Sequence, residues 1–378
     1  MPSEAEQDVP ACNGQTSAFV DSGERPSISI LRDIMGTVGN ASALPESIGA
    51  MNQSMFSDDI AAEWFTCKPC AIGSQQVGEI WRRFWQNNAE NALQSAADGL
   101  GQSLDRLLHH VRNFDLTRRL APRLCARVAD LMEAMDRRDG YAVMDGLQVW
   151  CNDAPEDWYA DDLITESIAA HAWEQPLLRE IRSTQVSGMG PLEFFPLLES
   201  DTLRYHQIAM HALHLIGEVD PDMHAEISTH VSMIKLFTGS GIEGLSTPKA
   251  FGALWLKVPT EENALAWFLE HLVHECSHLH LNALFSLDPL LYNPNEIHQA
   301  PIRPDPRPMF QILHGTFVLA RNCRVHARLC ERFPELNLQP ALEKFHEQFQ
   351  RGIAVVEGCM KPTRRGALLL QSLSEAAA

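Results

Sequence analysis

The chain has 378 residues, 45% of them apolar, enough to bury a sizeable core in one large domain or two. Its 30 basic and 49 acidic residues give a formal net charge of −19. That field repels nucleic acid and acidic membrane surfaces and leaves basic or zwitterionic partners, peptides included, as the compatible class.

Cysteines number nine, an odd count at scattered spacings, so no disulfide framework is visible. The opening residues are acidic and polar, without the basic start and apolar run of a secretory leader. No stretch approaches the ~20 apolar residues of a membrane span. The expectation is a cytoplasmic, reducing setting with neither membrane nor nucleic acid as partner.

Residues 1–50 are rich in Ser, Gly, Pro and Ala, with little periodicity, and read as a flexible arm. From 56 to 185 the pattern is mainly helical. Ile80, Trp81, Phe84 and Trp85 form an aromatic stripe, and Leu104, Leu107 and Leu108, then Leu120, Leu124 and Val128, continue with a 3.6-residue period. Further helices are expected over 201–217 and 224–236. Residues 239–248 read as a flexible turn region, and 251–258 as the best strand candidate. An exposed edge on that strand would suit an extended peptide; a fully paired internal strand is the equal alternative. Pro259 ends it and Thr260 can cap the next helix, which runs to about 285. After a Pro/Asn-rich loop over 288–308, Pro308 opens a helix to about 330, and 339–356 is helical again.

These elements predict a mainly α chain with a small β component (α+β): a helical bundle with a short sheet beside one central helix. The division expected is a flexible arm at 1–50, a helical N-terminal region at 51–190 and a metal-binding catalytic region at 191–378.

That central helix carries His274-Glu275-Cys276-Ser277-His278. Residues i and i+4 lie on one helix face a turn apart, so His274 and His278 aim two imidazoles at one point. Glu275 lies about 100° further round and sits beside a bound ion, where a carboxylate can take a proton from metal-bound water. His271 shares the face and reads as a rim residue. Two ligands rarely suffice. The downstream candidates for a third are Asp288, Glu296, His298, Asp305 and His314, with His314 favoured because it sits on an apolar helix that would face the first. A carboxylate in that place would make two histidines and a carboxylate, which suits zinc hydrolysis and non-haem iron alike. Arg303 and Arg307 stand in a loop stiffened by three prolines, where a guanidinium fork could capture a carboxylate; pairing with the chain's own acids is the equal alternative. Cys67-Lys-Pro-Cys70 is a lone CxxC and reads as an ordinary reduced pair. His109, His110, His206, His211 and His214 read as core or surface histidines.

Three blocks together resemble a bacterial family, the HExxH motif-containing peptide-modification proteins of ribosomal peptide (RiPP) biosynthesis. The blocks are 273–284 with the motif, 303–308 as Arg-Pro-Asp-Pro-Arg-Pro, and 313–317 as Leu-His-Gly-Thr-Phe; the strand around Phe251 is similar too. The resembling stretch, from about Gly190 to Arg324 and including the Ser246-to-Leu256 segment, covers about a third of the chain, and the residues before about 190 match nothing in the family. The resemblance implies an Fe(II)- and 2-oxoglutarate-dependent oxygenase that hydroxylates the β-carbon of a side chain in a ribosomal precursor peptide. His274, His278 and His314 would then hold iron, Arg303 or Arg307 would hold 2-oxoglutarate, and Glu275 would order the ligands. Asp305 stands alone where the family pattern has a double acid, which leaves the loop's role open. A zinc metallopeptidase with Glu275 as general base and a non-catalytic peptide-binding protein are the competing readings. A homodimer is compatible with any of the three.

Overall fold

The computed structural model describes residues 62–101, 103–183, 192–259, 261–301 and 305–378. The arm at 1–50, the cap residue Thr260 and the loop residue Arg303 lie outside them. Among the described residues the protein is mainly α-helical with a small mixed sheet, as the periodicity predicts.

The N-terminal helices are α1 (Ala71–Leu100), α2 (Asp105–Arg112), α3 (Pro122–Asp136) and α4 (Gly140–Asn152). On α1 the buried residues Val77, Trp81, Trp85, Ala89, Ala92 and Ala96 recur at three- and four-residue spacing, which commits one face to the core. Gly101 ends α1 at φ +63, a left-handed cap that glycine adopts without steric cost. Next come β1 (Ile164–Ser167), α5 (Glu174–Ser183), β2 (Glu193–Phe195), α6 (Glu199–Val219), α7 (Pro221–His230), β3 (Met233–Ser240), β4 (Gly244–Ser246) and β5 (Ala253–Lys257). The helix with the histidine motif is α8 (Ala264–Leu287). It is followed by the short pair β6 (Ile297–His298) and β7 (Arg307–Pro308), then α9 (Met309–Arg332), α10 (Gln339–Cys359) and α11 (Arg364–Ala377).

The main sheet runs β1-β3-β5-β4. β1 and β5 lie parallel to β3, β4 is antiparallel to β5 at one edge, and β2 pairs antiparallel with the far end of β3. Side chains alternate across it with period two. Ile234, Leu236, Leu254 and Leu256 join the principal core, while Met233, Phe237, Ala253 and Trp255 pack on the other face with Leu177, Leu178 and Ile181 of α5. Lys235 is fully buried in β3 and is matched by Glu166 and Glu174, each at 2.6 Å. The sheet thus takes β1 from before residue 190 and its other strands from after it, and the principal core runs from Phe65 to Leu373.

Three expectations are corrected. The helix expected over 224–236 ends at His230, and the residues from Met233 form β3. A continuous apolar run such as 233–237 suits a parallel strand covered on both faces, and periodicity alone does not separate it from buried helix. The flexible turn expected over 239–248 contains the end of β3 and all of β4. β1 interrupts the helical pattern of 56–185. The strand expected at 251–258 is present as β5 and is internal, paired by β3 and β4, so the free edge belongs to β4.

Beneath α8 lies a buried ionic network. Arg321 of α9 and Glu226 of α7 are both fully buried and pair through both guanidinium ends. Ser74 Oγ of α1 donates to Glu226 at 2.9 Å, and Arg321 Nε donates to the Cys67 carbonyl at 3.1 Å. Burial alone would raise the Glu226 carboxyl, but the Arg321 charge and hydrogen bonds, with His280 and His230 beside it, hold it down at about 2. Removing one partner strands the other charge, so Arg321→Met is expected to cost about 3–5 kcal/mol in urea unfolding at pH 7. Because the folded carboxyl lies below its ordinary value, its contribution is present above about pH 4.5 and is lost as pH falls toward 2. The stability gap between wild type and Glu226→Gln is therefore expected to narrow over that window, measured by urea titration at pH 7, 4.5 and 3.

Candidate metal centre

α8 is buried on almost every side, with Phe268, Leu269, Leu272, Val273, Cys276, Leu279, Leu281 and Leu284 turned into the core. His271, His274 and His278 form its one partly open stripe. α9 packs along this stripe and brings His314 up to it. His278 Nε2 lies 3.3 Å from His274 Nε2, and His278 Nδ1 lies 3.2 Å from His314 Nδ1. The plane of Phe285 stacks on His314 at 5.3 Å and fixes that ring from the far side. His271 is stacked on Trp267 at 3.8 Å, with Nδ1 2.9 Å from the Trp267 carbonyl. A carbonyl only accepts, so Nδ1 carries the proton and Nε2 keeps its lone pair.

All four rings are held neutral. Burial lowers His274 well below the ordinary imidazole range, helped by the neighbouring His278 and His271. Burial, and then the neighbouring His314, bring His278 to about 3, and burial brings His314 to about 4 and His271 to about 4. Neutral imidazole is the form that binds metal.

Glu275 leaves this stripe and turns toward the sheet edge. Ser246 Oγ of β4 donates to its carboxylate at 2.7 Å, and a side chain on Gly244 would begin 2.5 Å from its Oε1. Burial raises the carboxyl to about 7, with the Ser246 hydrogen bond pulling the other way. Only a residue without Cβ leaves room for Glu275 against β4.

Of the third-ligand candidates, only His314 comes within hydrogen-bond distance of the histidine pair. Asp288 instead accepts from Leu290 N and Thr363 Oγ1, capping the turn after α8. Glu296 pairs with Lys361 at 2.9 Å and with His298 at 3.2 Å. Asp305 pairs with Arg307 at 2.6 Å. Arg307 also reaches Gln311, one turn before His314 on α9, while its buried Nε has no partner. Cys67 is buried against Ser372, and Cys70 caps α1, so the CxxC pair serves packing. Apart from the Ser246-to-Leu256 resemblance, nothing in the sequence marks Ser246, Gly244 or Phe285 as site residues. Their one signal, glycine two residues before a hydroxyl in a short turn-like stretch, is too common to read.

The fit to a divalent ion is partial. Two nitrogens at 2.0–2.1 Å from a tetrahedral ion stand roughly 3.3 Å apart, the spacing of His274 Nε2 and His278 Nε2. His278, however, divides its two nitrogens between His274 and His314, so a common point for all three requires one ring to turn. Accordingly, among the described residues no group of three or more His, Cys, Asp or Glu has a geometry that could hold a metal as it stands. No helix among them is long and apolar enough to cross a membrane. No protein-family model matches the chain, and no curated protein matches it.

Ser246→Ala removes the hydrogen bond that favours the ionised form of Glu275. The Glu275 carboxyl is expected to titrate above about 7 in that variant, followed by carbon-13 NMR of labelled protein in chelator. An unchanged titration would show that the contact contributes nothing.

Proposed function

We propose that the protein is a metalloenzyme that modifies a ribosomally made peptide, as an Fe(II)- and 2-oxoglutarate-dependent β-hydroxylase of a peptide side chain. The observation that carries this reading is the meeting of three neutral imidazoles from two helices, His274 and His278 on α8 and His314 on α9. They supply three nitrogen donors and no carboxylate, on the one open stripe of an otherwise buried helix. Iron held there would supply O₂ activation with 2-oxoglutarate as the reductant.

In this reading His274 and His278 grip the ion and His314 closes the set by a ring turn, with Phe285 limiting where that ring can go. Arg307 stands at the start of the helix that carries His314. A cosubstrate carboxylate would take the unpartnered Nε or displace Asp305. Arg303 is proposed as the second guanidinium of the same loop. Glu275, anchored to β4, fixes the rotation of α8 beneath the ligands.

A second reading, a zinc metallopeptidase, is favoured by two observations. The Glu275 carboxyl at about 7 is tuned to a general base. β4 also has β5 as its one strand partner among the described residues, leaving an edge that an extended peptide could extend.

Loading with each metal separates the readings. Protein given Fe(II), 2-oxoglutarate and O₂ is expected to add one oxygen atom to a peptide encoded nearby, read by mass spectrometry. Shortened peptide with zinc and no change with iron would replace the oxygenase by the peptidase, and binding without any mass change would leave a peptide-binding protein. Metal content is expected to fall from about one ion per chain to none in His274→Ala and His278→Ala, and severely in His314→Ala. Full loading in His314→Ala would remove that residue from the site.

A further inference from the structure

On the far side of α8 from the histidine stripe, a partly open pocket of about 20 Å³ lies between α1, α7, Leu120, Cys125 of α3 and Phe251. Trp81, Arg82 and Trp85 of α1, Arg119, and His230 of α7 line it. The Trp81, Trp85 and His230 side chains are all at least 98% buried, and Trp81 Nε1, Trp85 Nε1 and His230 Nδ1 have no hydrogen-bond partner.

The protonation of His230 follows from its neighbours. Glu226 is ionised against Arg321, so its oxygens only accept. His280 Nδ1 lies 3.4 Å from Glu226 Oε2 and 3.1 Å from His230 Nε2. That nitrogen therefore carries a proton, and His230 Nε2 is a lone pair that can accept it. Burial keeps His230 neutral, lowering it to about 4, so its single proton is on Nδ1, the unpartnered atom. Every orphaned atom on this wall is thus an N–H donor.

The charge is unbalanced in the same direction. Arg82 donates through Nε to the Leu116 carbonyl, and Arg119 is spent on the carbonyls of Ala160, Ser228, Val231 and Asp161. Neither guanidinium makes an ion pair among the described residues; Glu79 and Asp115, and Asp162 and Asp161, act on them from further away. Both are half-buried arginines with no carboxylate in contact.

We propose that this cavity is a binding site for one halide-sized anion, chloride in physiological solution, held by His230 Nδ1–H, the two indole N–H groups and the field of Arg82 and Arg119. The volume accepts one water-sized occupant and excludes phosphate or a carboxylate. Water meets this wall less fully, because it brings two protons of its own to a wall whose unpartnered atoms are all donors. An acceptor-only ion meets every donor, and leaving buried donors unmet costs about 1–3 kcal/mol each. The bound ion would also hold His230 in the tautomer that accepts from His280, tying the back of α8 to the Glu226–Arg321 pair.

The test is run in chelator, so it is independent of any ion at His274 and His278. Unfolding midpoints are compared in sodium chloride and in sodium gluconate at equal ionic strength. Chloride is expected to stabilise the wild type in excess of gluconate. Each tenfold rise in chloride above its dissociation constant should raise the folding equilibrium constant tenfold. Arg82→Gln should lose the chloride-over-gluconate difference, whatever its own gluconate midpoint. Crystals grown in bromide should show an anomalous peak between His230 and Arg82, a measurement on the wild type that stands even if the variant fails to fold. Equal midpoints in the two salts, or a bromide map with only water in the cavity, would overturn the site.

Discussion

The structure is organised by one constraint: a 24-residue helix, α8, that is buried on nearly all sides yet carries seven polar or titratable side chains between His271 and His280. Polar groups taken out of water must be met by partners. Some partners lie on α8 itself and others come from the elements packed around it. Ser246 of β4 meets Glu275, the Val273 carbonyl takes the Ser277 hydroxyl, and α9 sets His314 against His278. On the opposite side, α7 supplies both Glu226 and His230 to His280. The position and rotation of α8 are thereby fixed by side-chain chemistry as well as by packing.

Two of these partner sets lie on opposite sides of one helix and share their neighbours. Arg321 stands seven residues after His314, two turns along the same face of α9. Its pairing with Glu226 therefore fixes the height at which His314 meets the motif. The Phe317 ring between them lies under Arg321 and stacks with His280. A shift of α9 by one turn along α8 would break the buried ion pair and separate the imidazoles at once. The ion pair and the meeting of the imidazoles are one geometric requirement here, which gives a physical reason for so costly a buried charge pair across α8 from the histidine stripe.

The sheet contributes in a narrower way. Its parallel centre is a scaffold filled on both faces, and its short antiparallel edge β4 is the part that touches the site. Gly244 and Ser246 alternate with Leu245, so one face of a three-residue strand receives the Glu275 carboxylate while Leu245 packs on the other core.

Much was legible in the sequence. The 3.6-residue stripes announced α1 and the long helices α8, α9 and α10, because a helix with a strong periodic face reports itself locally. The spacing of His274 and His278 placed them on one face for the same reason, and the apolar run before Pro259 marked β5. What failed was decided at a distance. The run from Met233 looked helical until β1 and β5 flanked it, and β4 looked like a turn because three residues carry no period. The pairing of Glu275 with Ser246 and the stacking of Phe285 on His314 likewise join residues of separate elements. Local sequence therefore determined which faces are apolar and which side chains share a turn of helix. Only the packing of α7, α9 and β4 around α8 decided which of the candidate donors meet, because contact between elements is set by the whole core and not by the spacing within any one of them.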